Sequence, residues 1–234
     1  VLTYEKGASV LRMLEQHIGP TVFREGVRNY LRAHAYGNAD TNDLWVALGQ
    51  AAKQAVPELM DGWIFQPGYP LVTVRQDNET ELVLSQQRFT YLSSPESTGQ
   101  RWQIPVPVRI TAAGATEHRR LFLTDREVRV SLPKGVQHLF VNEAGHGFYR
   151  VRYDSPLLQR ILEAGVGHLA PSERFNLVSD AWATTVSGLT PLSDYLYLTS
   201  HFTGERDKNV WAVLLDSFSF LNRIIAAEDR PILE

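Results

Sequence analysis

The chain has 234 residues, 44% hydrophobic and 21% charged, with a formal net charge of -3. Those proportions exclude a disordered polymer, and the slight acidity excludes the basic stripe that a nucleic-acid partner requires. With no cysteine and no apolar run near the roughly 20 residues that span a bilayer, disulfide scaffolds, thiol catalysis, cysteine zinc sites and a membrane span drop out as well.

Up to about Gln66 the hydrophobic period is helical. Val10, Leu11, Met13, Leu14 and Ile18 form one apolar face, closed by Gly19 and Pro20, a stop followed by a restart. Pro20 opens a second helix that turns Val22, Phe23, Val27, Tyr30 and Leu31 inward. Asp40 or Thr41 caps a third helix through Leu44, Trp45 and Leu48, its side-chain oxygen accepting from an orphan N–H. Pro57 starts a fourth with Leu59, Met60, Trp63 and Ile64.

From Pro67-Gly68-Tyr69-Pro70 the period becomes two. Strands are expected at 71–76, 82–84, 102–110, 119–124, 127–132, 138–142 and 148–153, separated by Gly-, Pro- and Asn-containing turns. Short strands at near-regular spacing predict a small antiparallel sandwich. Pro105 and Pro107 lack a ladder donor, so their strand is expected at an edge. After Asp154-Ser155-Pro156 helices return. Ser155 is placed to cap the first (Leu157, Leu158, Ile161, Leu162). Pro171 or Ser172 begins the next (Phe175, Leu177, Val178, Trp182), which ends near Gly188, and Pro191 and Lys208 open two more. The expected division is 1–67, 68–154 and 155–234. Both ends read as packed structure, so the sequence is expected to be an internal piece of a longer protein. Missing cysteine fits a reducing, cytoplasmic compartment.

Chemistry is harder to find. The seven His include no H-E-x-x-H and no i, i+4 pair that sets two imidazoles on one helix face. Hydrogen-bonded or solvated roles are expected for them rather than metal ligation. No nucleophile elbow, Walker loop or dinucleotide fingerprint is present. Gly145-His146-Gly147 reads as a turn needing positive φ, and Arg119, Arg120, Arg126 and Arg129 as the outward faces of strands. Exposed aromatics such as Tyr91 and Trp102 leave room for a weaker reading, a carbohydrate-binding sandwich.

One segment points to an enzyme. Tyr4-Glu5-Lys6-Gly7-Ala8-Ser9-Val10-Leu11-Arg12-Met13-Leu14 resembles the Y-x-K-G-A-x-V-L-x-M-L signature of zinc aminopeptidases of the aminopeptidase N and puromycin-sensitive type, the gluzincins. The likeness continues through Tyr36-Gly37-Asn38-Ala39, Thr41-Asn42-Asp43-Leu44-Trp45, Met60-Asp61-Gly62-Trp63 and Gln66-Pro67-Gly68-Tyr69-Pro70. It resumes at Phe148-Tyr149-Arg150-Val151-Arg152-Tyr153-Asp154 and Glu173-Arg174-Phe175-Asn176-Leu177-Val178-Ser179-Asp180-Ala181.

This resemblance implies a multidomain α+β chain. Its parts would be the helical tail of a thermolysin-like catalytic domain, a small antiparallel β-sandwich, and the start of an α-helical, HEAT-like C-terminal domain. It implies a parent that uses zinc to release N-terminal amino acids from peptides. It also gives Tyr4 a catalytic role, an O–H donor to the oxyanion that forms when the peptide carbonyl is attacked. Tyrosine suits that role because a phenol keeps its proton at neutral pH. The family's zinc ligands and general base lie upstream of its tyrosine motif, so no metal ligand or cofactor contact is assigned here and the isolated chain is expected to be inactive. The competing reading is a non-catalytic protein-interaction module with the same architecture.

Overall fold

The computed structural model describes residues 2–92 and 99–226, with side chains from Tyr4 onward. Four helices come first: α1 (Leu2–Ile18), α2 (Pro20–Ala33), α3 (Thr41–Ala52) and α4 (Val56–Ile64). Gly19 at φ +92° breaks the chain between α1 and α2, a conformation only glycine adopts without strain. The α3 cap is Asp40: its carboxylate accepts from the Asn42 and Asp43 N–H groups, and Asp43 reciprocates at the Asp40 N–H. Helices α2 and α3 touch through Gly26, where a Cβ would sit 2.9 Å from the Leu48 Cα.

All seven expected strands form: β1 (Pro70–Asn78), β2 (Glu81–Arg88), β3 (Ile104–Ala112), β4 (Ala115–Leu123), β5 (Glu127–Ser131), β6 (Val136–Val141) and β7 (Arg150–Tyr153). They build a four-stranded sheet, β5-β2-β1-β7, and a three-stranded sheet, β4-β3-β6. Two expectations fail. The pairing is not wholly antiparallel, because β7 runs parallel to β1 from Leu71↔Arg150 to Val74↔Tyr153; intervening strands and turns carry the chain back to the end from which it started. And β3 is a central strand rather than an edge. Its prolines are tolerated because β6 joins it only from Val108 onward. Pro107 lies past the end of β6, where its carbonyl accepts the Asn142 N–H at 2.9 Å, so no ladder donor is missing.

The sheets share one core with the helices. Val72, Val74, Leu82 and Leu84 of one sheet and Ile104, Val106, Val108 and Ile110 of the other are buried in a single cluster with Val10, Met13, Leu14 and Trp63. Gln86, buried in β2, bridges the sheets: its side-chain amide donates to the Trp102 carbonyl and accepts the Trp102 N–H at 2.8 Å. Trp102 is only 1% exposed, which removes it as a carbohydrate platform.

The C-terminal helices are α5 (Ser155–Glu163), α6 (Pro171–Val186), α7 (Leu192–Thr199) and α8 (Lys208–Ile224). The α5 cap is Asp154, not Ser155: its carboxylate accepts the Leu157 N–H at 2.9 Å and the Gln76 N–H at 3.0 Å, tying the helix start to β1. A second core gathers Ile161, Leu162, Val178, Tyr195, Leu198 and Val210, and Phe140 of β6 reaches into it.

Two buried charge pairs join strands to helices. Glu173 of α6 takes both guanidinium nitrogens of Arg109 (β3) at 3.0 Å and the N–H groups of Ala144 and Ala170 at 2.9 Å. Burial pushes the Glu173 carboxyl up, but Arg109 and those N–H groups together hold it below the usual carboxylate range. Asp180, one turn-pair further along α6, accepts from Arg150 and from the Val151 N–H of β7, each at 2.9 Å. A third pair lies within the helical part, Arg174 against Glu205 at 2.6 Å.

Removing one partner of a buried pair strands the other charge. Glu173→Ala is expected to cost about 3–5 kcal/mol in urea unfolding; a loss below about 1 kcal/mol would show that Arg109 finds another partner. The Glu205 carboxyl is held down to about 2, first by Arg174 and then by the Asp207 and Arg206 N–H groups, against burial. The folded state therefore binds fewer protons, so this contribution is fully present above pH 4.5 or so and is lost as pH falls toward 2. Glu205→Gln should cost about 1.5–3 kcal/mol at pH 7 and lessen the acid-induced fall; an unaltered pH profile would contradict that.

Candidate functional site

Helix α1 has two faces. Val10, Met13, Leu14 and Ile18 are buried, whereas Glu5, Ala8, Ser9 and Arg12 are exposed and Tyr4 stands out at 85% exposure. The Tyr4 hydroxyl has no hydrogen-bond partner among the described residues. A Cβ built on neighbouring Gly7 meets nothing within 4 Å. The 17-residue helix is anchored from Val10 onward, which sets where the Tyr4 backbone lies while its hydroxyl stays free to donate. Lys6 is partly exposed and forms no ion pair among the described residues.

At the other end of α1 lies a cavity of about 250 Å³, bounded by Met13, His17, Val106, Arg120, Leu121 and His146 among others. Its wall at His17 is about 20 Å along the helix from Tyr4 at 1.5 Å per residue, so the two are separate features. Burial lowers the His17 and His146 imidazole pKa values, and the Arg120 and Arg12 guanidinium groups, respectively, push them further down. His138 lies within β6. Its ring lies 4.9 Å from that of His168, and burial, His168 and Arg109 lower its pKa.

The Gly145-His146-Gly147 turn is structural for two reasons. Gly145 has φ +74°, as expected. Gly147 is needed for space as well: a Cβ there would lie 2.2 Å from the Tyr149 ring and 2.7 Å from Asn142 Oδ1. Asn142 clasps this glycine, accepting its N–H at 2.8 Å.

Among the described residues no group of three or more His, Cys, Asp or Glu side chains is placed to hold a metal ion. Also among the described residues, no helix is long and apolar enough to cross a membrane.

Residues 1–63 match the peptidase family M1 domain and residues 139–233 the ERAP1-like C-terminal domain. A probable M1 family aminopeptidase 1 of Encephalitozoon cuniculi is 40% identical over 181 residues, 77% of this chain and 20% of the relative. The puromycin-sensitive aminopeptidase of Caenorhabditis elegans is 32% identical over 227 residues, 94% of this chain and 24% of the relative. Aminopeptidase 2 of Candida albicans is 30% identical over 230 residues, 98% of this chain and 25% of the relative. The chain thus spans about a fifth to a quarter of the length of the curated relatives it matches.

An exposed side chain with no partner contributes little to folding. Tyr4→Phe and Tyr4→Ala are each expected to change the unfolding free energy of this chain by less than about 0.5 kcal/mol. A loss above 1 kcal/mol or so would show that the ring is structural.

Proposed function

The chain belongs to the M1 aminopeptidase family, and from that membership we propose that it forms part of a longer zinc-dependent enzyme that releases N-terminal amino acids from peptides. In this reading Tyr4 donates its O–H to the scissile carbonyl oxygen as negative charge develops there. The observation that carries it is the placement of Tyr4: an exposed, unpartnered phenol on a helix whose other face is fixed in the core. The exposed small side chain of Ala8, one turn on from Tyr4, leaves room for a substrate or a further domain to approach.

Residues 1–67 then close the catalytic domain, 68–154 form the β-sandwich, and 155–234 begin a HEAT-like helical domain. The shared core of the two sheets supports the sandwich, and the common core of α5 to α8 supports the helical start. Since the described residues do not make a zinc site, the ligands and the general base belong to other parts of the longer protein. The chain alone then neither holds zinc nor cleaves peptides.

Tyr4→Phe in the full-length enzyme should leave zinc content and fold unchanged and lower kcat by about 10²–10³-fold, measured with an aminoacyl-anilide. Turnover equal to that of the unsubstituted enzyme would remove Tyr4 from the chemistry, and a full-length protein with no peptidase activity at all would favour the interaction-module reading.

A further inference from the structure

One face of the β3–β4 hairpin carries three cross-strand pairs in a row: Pro105 opposite Phe122, Pro107 opposite Arg120, and Arg109 opposite His118. At one end Phe122 stacks on His17 of α1, with ring centroids 5.4 Å apart. At the other end His118 and Arg109 both contact the Glu143 carboxylate, at 2.9 and 3.3 Å. The cavity of about 250 Å³ is bounded by the middle of this row, by Met13 of α1 and by the turn that carries Glu143.

Two opposite charges stand in its wall. Glu173 takes both guanidinium nitrogens of Arg109 at 3.0 Å, so Glu143 keeps its negative charge. Arg120 is exposed and has no ion-pair partner among the described residues. Side chains two residues apart on a strand share a face at a spacing of about 7 Å. Arg120 therefore stands one position along from His118 and the carboxylate that His118 contacts. The remaining wall adds no charge of its own on this side: Met13, Pro105 and Pro107 are apolar, and burial holds the His17 and His146 imidazoles below their usual pKa.

A lone anion at this cavity meets Glu143, and a lone cation meets Arg120. A molecule that carries both charges a few ångströms apart satisfies the two together. An apolar α-amino acid has that charge pair and a hydrocarbon side chain for the walls. Space is sufficient, since a closed apolar cavity of about 150 Å³ already holds a benzene. We propose that this cavity binds a free apolar α-amino acid, its ammonium at Glu143, its carboxylate at Arg120 and its side chain against Met13, Pro105 and Pro107. Such molecules are what the proposed reaction releases, yet the match rests on the two wall charges and holds whether or not Tyr4 is catalytic.

Isothermal titration of the chain with leucine at pH 8 tests it, and saturable one-to-one binding is expected. Leucinamide, which lacks the carboxylate, and N-acetylleucine, which lacks the ammonium, should each bind about tenfold more weakly. Glycine, without the side chain, should lose more than about tenfold. Arg120→Gln, a change at an exposed side chain, should weaken leucine about tenfold and leave leucinamide unaffected. No saturable heat with leucine, leucinamide or N-acetylleucine binding as well as leucine, or leucine affinity indifferent to Arg120 would each overturn the proposal. None of these outcomes bears on the activity of Tyr4 variants.

Discussion

The packing of α1 into a core shared with both sheets is the constraint from which the rest follows. Val10, Met13 and Leu14 are at most 4% exposed and belong to the same cluster as the inward residues of both sheets. At about 1.5–3 kcal/mol for each large apolar side chain buried, those contacts fix the rotation of the helix about its axis. Rotation in turn decides what the opposite face presents. Tyr4 lies six residues ahead of Val10, the first buried residue of α1, so its ring stands beyond the packed part of the helix and is 85% exposed. The same seating places His17 in the wall of a cavity shared with β3 and β4.

Further along the chain, charge rather than hydrophobic area specifies how strands meet helices. Arg109 with Glu173 and Arg150 with Asp180 cross from β3 and β7 to α6, and backbone N–H groups occupy the remaining acceptor positions. Burial drives the Asp180 carboxyl up to about 6 despite Arg150 and the Val151 N–H. Such pairs contribute little net stability over a well-packed apolar alternative, but a misplaced partner is heavily penalised. They act as register pins for α6 on the sheet. The residues quoted in the sequence as Phe148 to Asp154 and Glu173 to Ala181 are therefore two sides of one junction.

Local chemistry made much of this legible. Gly19-Pro20, Pro57 and Asp40 marked helix ends because caps and breakers act over three or four residues, and alternation marked every strand. Boundaries slipped at several strand ends, as where β2 runs on to Arg88 and β4 starts at Ala115, and where two local candidates competed, as at Asp154 and Ser155; the aspartate won because it also reaches the Gln76 N–H of β1. Non-local facts stayed hidden. Nothing near Pro105 or Pro107 tells how far a partner strand 30 residues or so away will extend, so a central strand read as an edge. Arg109 and Glu173 are separated by 64 positions, and neither announces the other. Gln86 looks like a surface residue until two sheets close over it. Tyr4 is the opposite case. Composition and spacing say nothing of it, the motif around it says a great deal, and its exposure accords with that motif.

What ties fold to chemistry is whether the free phenol of α1 meets reacting substrate. A crystal structure of the full-length protein with a tetrahedral phosphinic peptide analogue bound addresses this directly. The expected result is the Tyr4 hydroxyl within hydrogen-bond distance, about 2.7 Å, of a phosphinyl oxygen, with α1 seated on the sheets as described here. A phenol turned away from the bound analogue, or covered by another domain, would contradict it.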